Sequence, residues 1–230
     1  MDSLEEFDPQ YPVSLVAQVT EFLTNAIIAG RLPEGQRLSE SELQRKFGIS
    51  RGSIRESFRI LERNGLLITV PRKGTFVRKM TQKDIEEIFP IIALLEGFAA
   101  RLAVSHLKND DIEEMELALS KMTEAAGKKD FKSYINYHSE YHEIFIYASK
   151  NDTLIGLLET LRRQNIWFRS TYLYVQESFE YSLRVHREII DLFIKKDVER
   201  LEALVNEHII FAFHRLLQFL ASKNEEKMER

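Results

Sequence analysis

With 230 residues, 44% of them hydrophobic and 30% charged, the chain has the material for two globular domains. It has no cysteine, which excludes disulfides, thiol catalysis and cysteine-ligated zinc; no apolar run reaches about 18 residues, and Met1–Glu6 is acidic, so a cytoplasmic protein with no membrane partner is expected. The net charge of −4 hides a polarity, because Arg31–Lys79 carries twelve Lys/Arg against five Asp/Glu while residues 81–230 carry twenty against twenty-six.

After a tail over residues 1–10, the segment Tyr11–Gly30 repeats apolar residues every three or four positions (Val13, Val16, Val19, Phe22, Leu23, Ala26, Ile27), which predicts one buried helix face. Leu32-Pro33-Glu34-Gly35 reads as a turn. Ser39 with Glu42 three residues on has the form of a capping box opening a short helix that ends at Gly48. Ser50 opens another, running through Ile54, Phe58 and Leu61 to Asn64-Gly65. Two short helices joined by Gly48-Ile49 have helix-turn-helix spacing. Leu66–Val70 and Thr75–Arg78, flanking Pro71-Arg72-Lys73-Gly74, predict a two-stranded hairpin, the wing of a winged helix.

From residue 80 the pattern becomes helical throughout. Helices are expected near 82–107, 110–127, 130–149, 152–173, 178–196 and 197–222, with Pro90 a candidate kink. The predicted fold is mainly α: a winged helix-turn-helix over 11–79, an all-α bundle of about six helices over 80–222, and a tail over 223–230. The aromatic run Trp167–Tyr174 reads more readily as core or dimer contact than as pocket lining.

The basic block suits the phosphates of double-stranded DNA. Arg51 and Arg55 lie one turn apart at the start of the second helix, where a recognition helix reaches base edges. An arginine fork bonds both O6 and N7 of a guanine. Ser50 can cap the helix, whose amides can meet a phosphate. Arg72, Lys73 and Gly74 at the wing tip fit the adjacent minor groove.

Ser39-Glu40-Ser41-Glu42-Leu43, Gly48-Ile49-Ser50-Arg51, Ile54-Arg55-Glu56, Leu61-Glu62-Arg63-Asn64-Gly65-Leu66 and Pro71–Val77 together resemble the DNA-binding domain of GntR-family transcription regulators. The resemblance implies operator contacts by Arg51, Ser53, Arg55 and Gly74, in a homodimer on a pseudo-palindromic site. Ser41 stands where many members carry a further DNA-contacting arginine.

Six histidines fall in the helical part. His138 and His142, four apart, share a helix face, and His186 and His208 lie on later helices. Imidazoles from three helices can converge on zinc, nickel, cobalt or copper. Tyr137–Leu154, Val185–Ile190 and Asn206-Glu207-His208 resemble the FadR-type, FCD-like ligand-binding domain, in which one Asp and three His bind a divalent metal. His142, His186 and His208 match the histidines, and His138 stands at the Asp position. Zinc or nickel is the expected metal, with affinity falling as pH drops through about 6, since protonated histidine cannot ligate. His106 and His214 match nothing and read as structural.

Leu95–Ala103 resembles the family's first-helix motif, which makes Glu96 a candidate ligand-binding residue. One turn earlier, Ile92 replaces an arginine suited to an organic acid. An effector carboxylate would then need Arg162, Arg163 or Arg169, although each reads first as a surface charge. The implied function is operator binding modulated by a small metabolite. The alternatives are a metal-dependent hydrolase with Glu140 or Glu96 as general base, and a DNA-binding protein with no effector.

Overall fold

The computed structural model describes residues 14–28, 30–79, 81–164 and 179–228. The chain divides into two compact units, Met1–Thr81 and Gln82–Arg230.

In the first unit, α1 (Leu15–Ile28) buries Val19, Leu23, Ala26 and Ile27, the face its periodicity marks. Ser39 caps α2 (Glu40–Phe47) by accepting the Glu42 amide, and Gly48 ends it in the left-handed conformation at φ 68°, donating to the Gln44 carbonyl. Ser50 caps α3 (Arg51–Arg63) by accepting the Ser53 amide at 3.1 Å. Ile54, Phe58 and Leu61 turn into the core against α1. Ser57 is buried with them and donates its hydroxyl to the Val16 carbonyl at 3.0 Å, which ties α3 to α1.

The hairpin β2 (Leu67–Val70) and β3 (Gly74–Val77) is extended by a third strand, β1 (Arg37–Leu38), giving the antiparallel order β1-β3-β2. Two residues are too few to show alternation, so β1 leaves no periodic signal. Its register follows from Gln36, whose carbonyl accepts the Val77 amide at 2.9 Å. Leu38, Leu67 and Val77 face inward, and Arg37 and Ile68 face outward.

The second unit contains six helices among the described residues: α4 (Gln82–Ala103), α5 (Asn109–Gly127), α6 (Phe131–Ala148), α7 (Asp152–Gln164), α8 (Phe179–Lys195) and α9 (Val198–Met228). The helix expected over 82–107 stops at Ala103, where the amides of His106 and Leu107 turn back to the Ala103 carbonyl. The last helix runs past 222 to Met228. The expected extension of α7 to 173 and the Trp167–Tyr174 run lie outside the described residues. α4 passes through Pro90 as one helix and packs closely on α9. At Gly97 even a Cβ would stand 2.9 Å from the Glu202 carbonyl, so glycine sets the approach of the two backbones. Tyr134, Tyr141 and Phe145 are buried against the histidine rings, and Met115 is buried on α5.

Candidate metal centre and nucleic-acid interface

Four histidines from three helices meet inside the second unit. α6 supplies His138 and His142, α8 supplies His186 and α9 supplies His208. One ligand nitrogen from each can be chosen so that all four lie within 4.8 Å of one another. His142, His186 and His208 are buried, and His138 is half-buried.

The hydrogen bonds set which nitrogens face inward. His186 Nδ1 lies 2.6 Å from the Ser182 carbonyl, which can only accept, so that nitrogen carries the proton and Nε2 keeps its lone pair. His142 Nδ1 lies 2.6 Å from Glu96 Oε2, a carboxylate that accepts in the same way. The two Nε2 atoms face each other across 3.1 Å, each with a lone pair when both rings are neutral. His208 Nδ1 is buried with no hydrogen-bond partner among the described residues.

This donor set fits a transition-metal ion. Two nitrogens each about 2.0–2.1 Å from one ion stand at most about 4.2 Å apart. The His142–His186 pair meets that limit as it stands, and the widest separation needs about half an ångström of closure. Burial, reinforced by His142, pushes the His208 pKa down to about 3, and burial with both neighbouring imidazoles holds His186 well below its usual range.

Glu96 is 4% exposed and engaged on both oxygens, by His142 and, at 3.4 Å, by Arg162 Nη1. It orients the His142 ring and is not an open general base. Arg162 is 9% exposed, which corrects its reading as a surface charge. Its other contacts are the Ser139 carbonyl at 3.4 Å and Glu143 at 3.8 Å. The missed signal was its spacing, since Leu154, Leu158 and Arg162 recur every four residues on one buried face of α7. Ile92 is buried in the core, so no arginine enters the bundle there. The Arg163 side chain and Arg169 lie outside the described residues. His106 is exposed and turns Nδ1 to the Leu102 carbonyl, and His214 is exposed beside Phe213.

In the first unit, Arg51 and Arg55 are exposed on α3, one turn apart. Arg51 Nε donates to Gln44 at 2.8 Å, and Arg55 makes a two-pronged contact with Glu40 at 3.3 and 3.0 Å. Both forks are thus held by α2 side chains. Ser53 lies half-exposed beside Ser50, with the hydroxyls 2.9 Å apart. Arg72 takes φ 64° and Gly74 φ 112°, so the wing turns through two left-handed residues flanking Lys73. A Cβ on Gly74 would stand 3.0 Å from Arg37 Nε. Sequence reasoning missed this wing-tip cation because β1 itself was invisible.

A winged helix carrying exposed arginines, followed by a helical bundle enclosing a polar centre, defines a two-domain DNA-binding protein. Residues 15–77 match the bacterial regulatory proteins of the gntR family, and residues 87–211 match the FCD domain. The chain belongs to the GntR family and is a transcription regulator with a C-terminal FCD ligand-binding domain. It is 28% identical to the HTH-type transcriptional regulator YdhC of Bacillus subtilis (strain 168), over 98% of this chain and 100% of that protein. It is 30% identical to the probable D-xylose utilization operon transcriptional repressor of Paenarthrobacter nicotinovorans, over 85% of this chain and 86% of that one. The solved structure of E. coli McbR/YncC shares its fold, with a TM-score of 0.77, 24% identity and coverage of 91% and 100%. These relatives are regulators, and the hydrolase alternative is set aside. Among the described residues no helix is long and apolar enough to cross a membrane.

Proposed function

We propose that this regulator is a homodimeric repressor whose winged helix (11–79) binds operator DNA and whose helical domain (80–222) holds a divalent transition metal, zinc or nickel. His138, His142, His186 and His208 would be its ligands. The observation that carries this reading is the pair of facing Nε2 lone pairs 3.1 Å apart, an arrangement a shared cation stabilises. Bound there, the ion would supply a concentrated positive charge for an anionic effector. Four neutral imidazoles cancel none of that charge, and Ile92 offers no competing cation, so a small organic acid or similar metabolite is the effector class.

On the DNA side, Arg51, Ser53 and Arg55 would read base edges and phosphates, and Arg72, Lys73 and Gly74 would enter the neighbouring groove. Repression is supported by the Paenarthrobacter relative and by the E. coli repressor RspR, which is 24% identical over 89% of each chain. Dimerisation is supported by Ile91, Leu94 and Phe98, which line one exposed face of α4, with Leu94 66% exposed.

The test is calorimetry with small organic acids on metal-loaded and chelated protein, paired with operator-binding assays. Acid binding that disappears on chelation and changes DNA affinity is the expected result. Acid binding that survives complete metal removal would refute the anchoring role.

A further inference from the structure

We infer that Arg162 is a positioning residue for the histidine centre, acting on His142 through Glu96 from the far side of the imidazole ring. The inference rests on the metal reading and adds to it a residue from a fourth helix.

The chain of contacts is short and buried. Arg162 reaches in from α7, Glu96 from α4 and His142 from α6, and all three are buried. Glu96 divides its oxygens, Oε1 toward Arg162 at 3.4 Å and Oε2 toward His142 Nδ1 at 2.6 Å. A buried carboxylate needs a compensating charge, and the guanidinium supplies it. The same contact limits rotation of the carboxyl group, so Oε2 stays aimed at Nδ1 and Nε2 stays aimed at His186. Arg162 is itself tied to α6 by the Ser139 carbonyl, one residue from His138. Its position argues against a direct clamp on an effector. The guanidinium lies on the Nδ1 side of His142, while the lone pair available to an ion is on the Nε2 side.

Outer partners of ligating histidines govern metal affinity by about 10- to 100-fold. The full-length protein is therefore compared with Arg162→Gln, Glu96→Gln and the double variant. Zinc affinity is measured by chelator competition, the visible spectrum is recorded after cobalt substitution, and circular dichroism checks the fold. Arg162→Gln is expected to weaken zinc binding within that range and to shift the cobalt bands, with Arg162→Lys recovering part of both. The double variant removes both buried charges, so it stays informative even if Arg162→Gln alone unfolds. Its affinity should match that of Glu96→Gln if Arg162 acts through Glu96, whereas a further loss would place its effect on its contacts with Ser139 and Glu143. Independent, additive losses would overturn the inference, as would Arg162→Gln protein with wild-type affinity and spectrum. Wild-type protein that takes up no stoichiometric metal would instead overturn the metal reading beneath it.

Discussion

His142 and His186 point their Nε2 atoms at each other across 3.1 Å, although their Nδ1 protons are already committed to Glu96 and to the Ser182 carbonyl. With both rings neutral, neither has a hydrogen to offer the other. In a buried site, such an arrangement is poor for two neutral imidazoles alone and good for two ligands of one cation. The carboxylate and the carbonyl that create it belong to α4 and α8, so the polarity of the centre is built into the packing of the bundle.

The buried histidines give the metal-free protein a defined acid sensitivity. His208 is held at about 3 and His186 well below its usual range, whereas both titrate near 6.5 in an unfolded chain. Below pH 6.5 the unfolded state binds more protons than the folded one, so stability is present above that pH and is lost as pH falls toward about 3. Between pH 7.5 and 5, His208 should cost on the order of 2 kcal/mol, and His186 should add to the loss in the same direction. Urea unfolding of chelated protein at both pH values measures this. A His186→Gln/His208→Gln variant should lose much of the pH dependence, and an unchanged dependence would place its origin elsewhere.

Base readout should separate from phosphate contact. The Arg55–Glu40 pair is exposed and therefore weak, so Arg55 can exchange Glu40 for a guanine at little cost. Arg55→Ala should lose about 1–3 kcal/mol at the operator and relax preference at one or two positions. Lys73→Ala should weaken binding on every sequence and reduce the salt slope by about one. An Arg55→Ala protein with full operator preference would contradict the placement of α3 in the groove.

Assembly has an equally direct check. Sedimentation at micromolar concentration should give about twice 27.0 kDa. Placing a charge on the exposed α4 face, as Leu94→Asp, should shift that toward monomer and weaken operator binding while leaving the fold intact. A wild-type protein that is monomeric both free and on DNA would exclude the dimer.

What could be read from sequence was local. Ser39, Gly48 and Ser50 carry their caps within three or four residues, and Ile54, Phe58 and Leu61 mark one face of a single helix. The wing hairpin was legible for the same reason, whereas β1 depends on a partner strand 37 or more residues away and has too few residues to show a period. His138 and His142 share a face by spacing alone. The joining of His186 and His208 to them required the family resemblance, since no local rule links α6, α8 and α9. The partnership of Glu96 with Arg162 spans 66 residues, and a charge on a buried helix face was its one local trace.

Native mass spectrometry of the full-length protein, as purified, after chelation, and as the His142→Ala/His186→Ala double variant, tests the central claim most directly. The account predicts one divalent transition-metal ion per chain in the purified wild type, its loss on chelation, and little or none in the variant. Equal metal content in wild type and variant, or a wild type that remains metal-free after incubation with zinc and nickel, would contradict it.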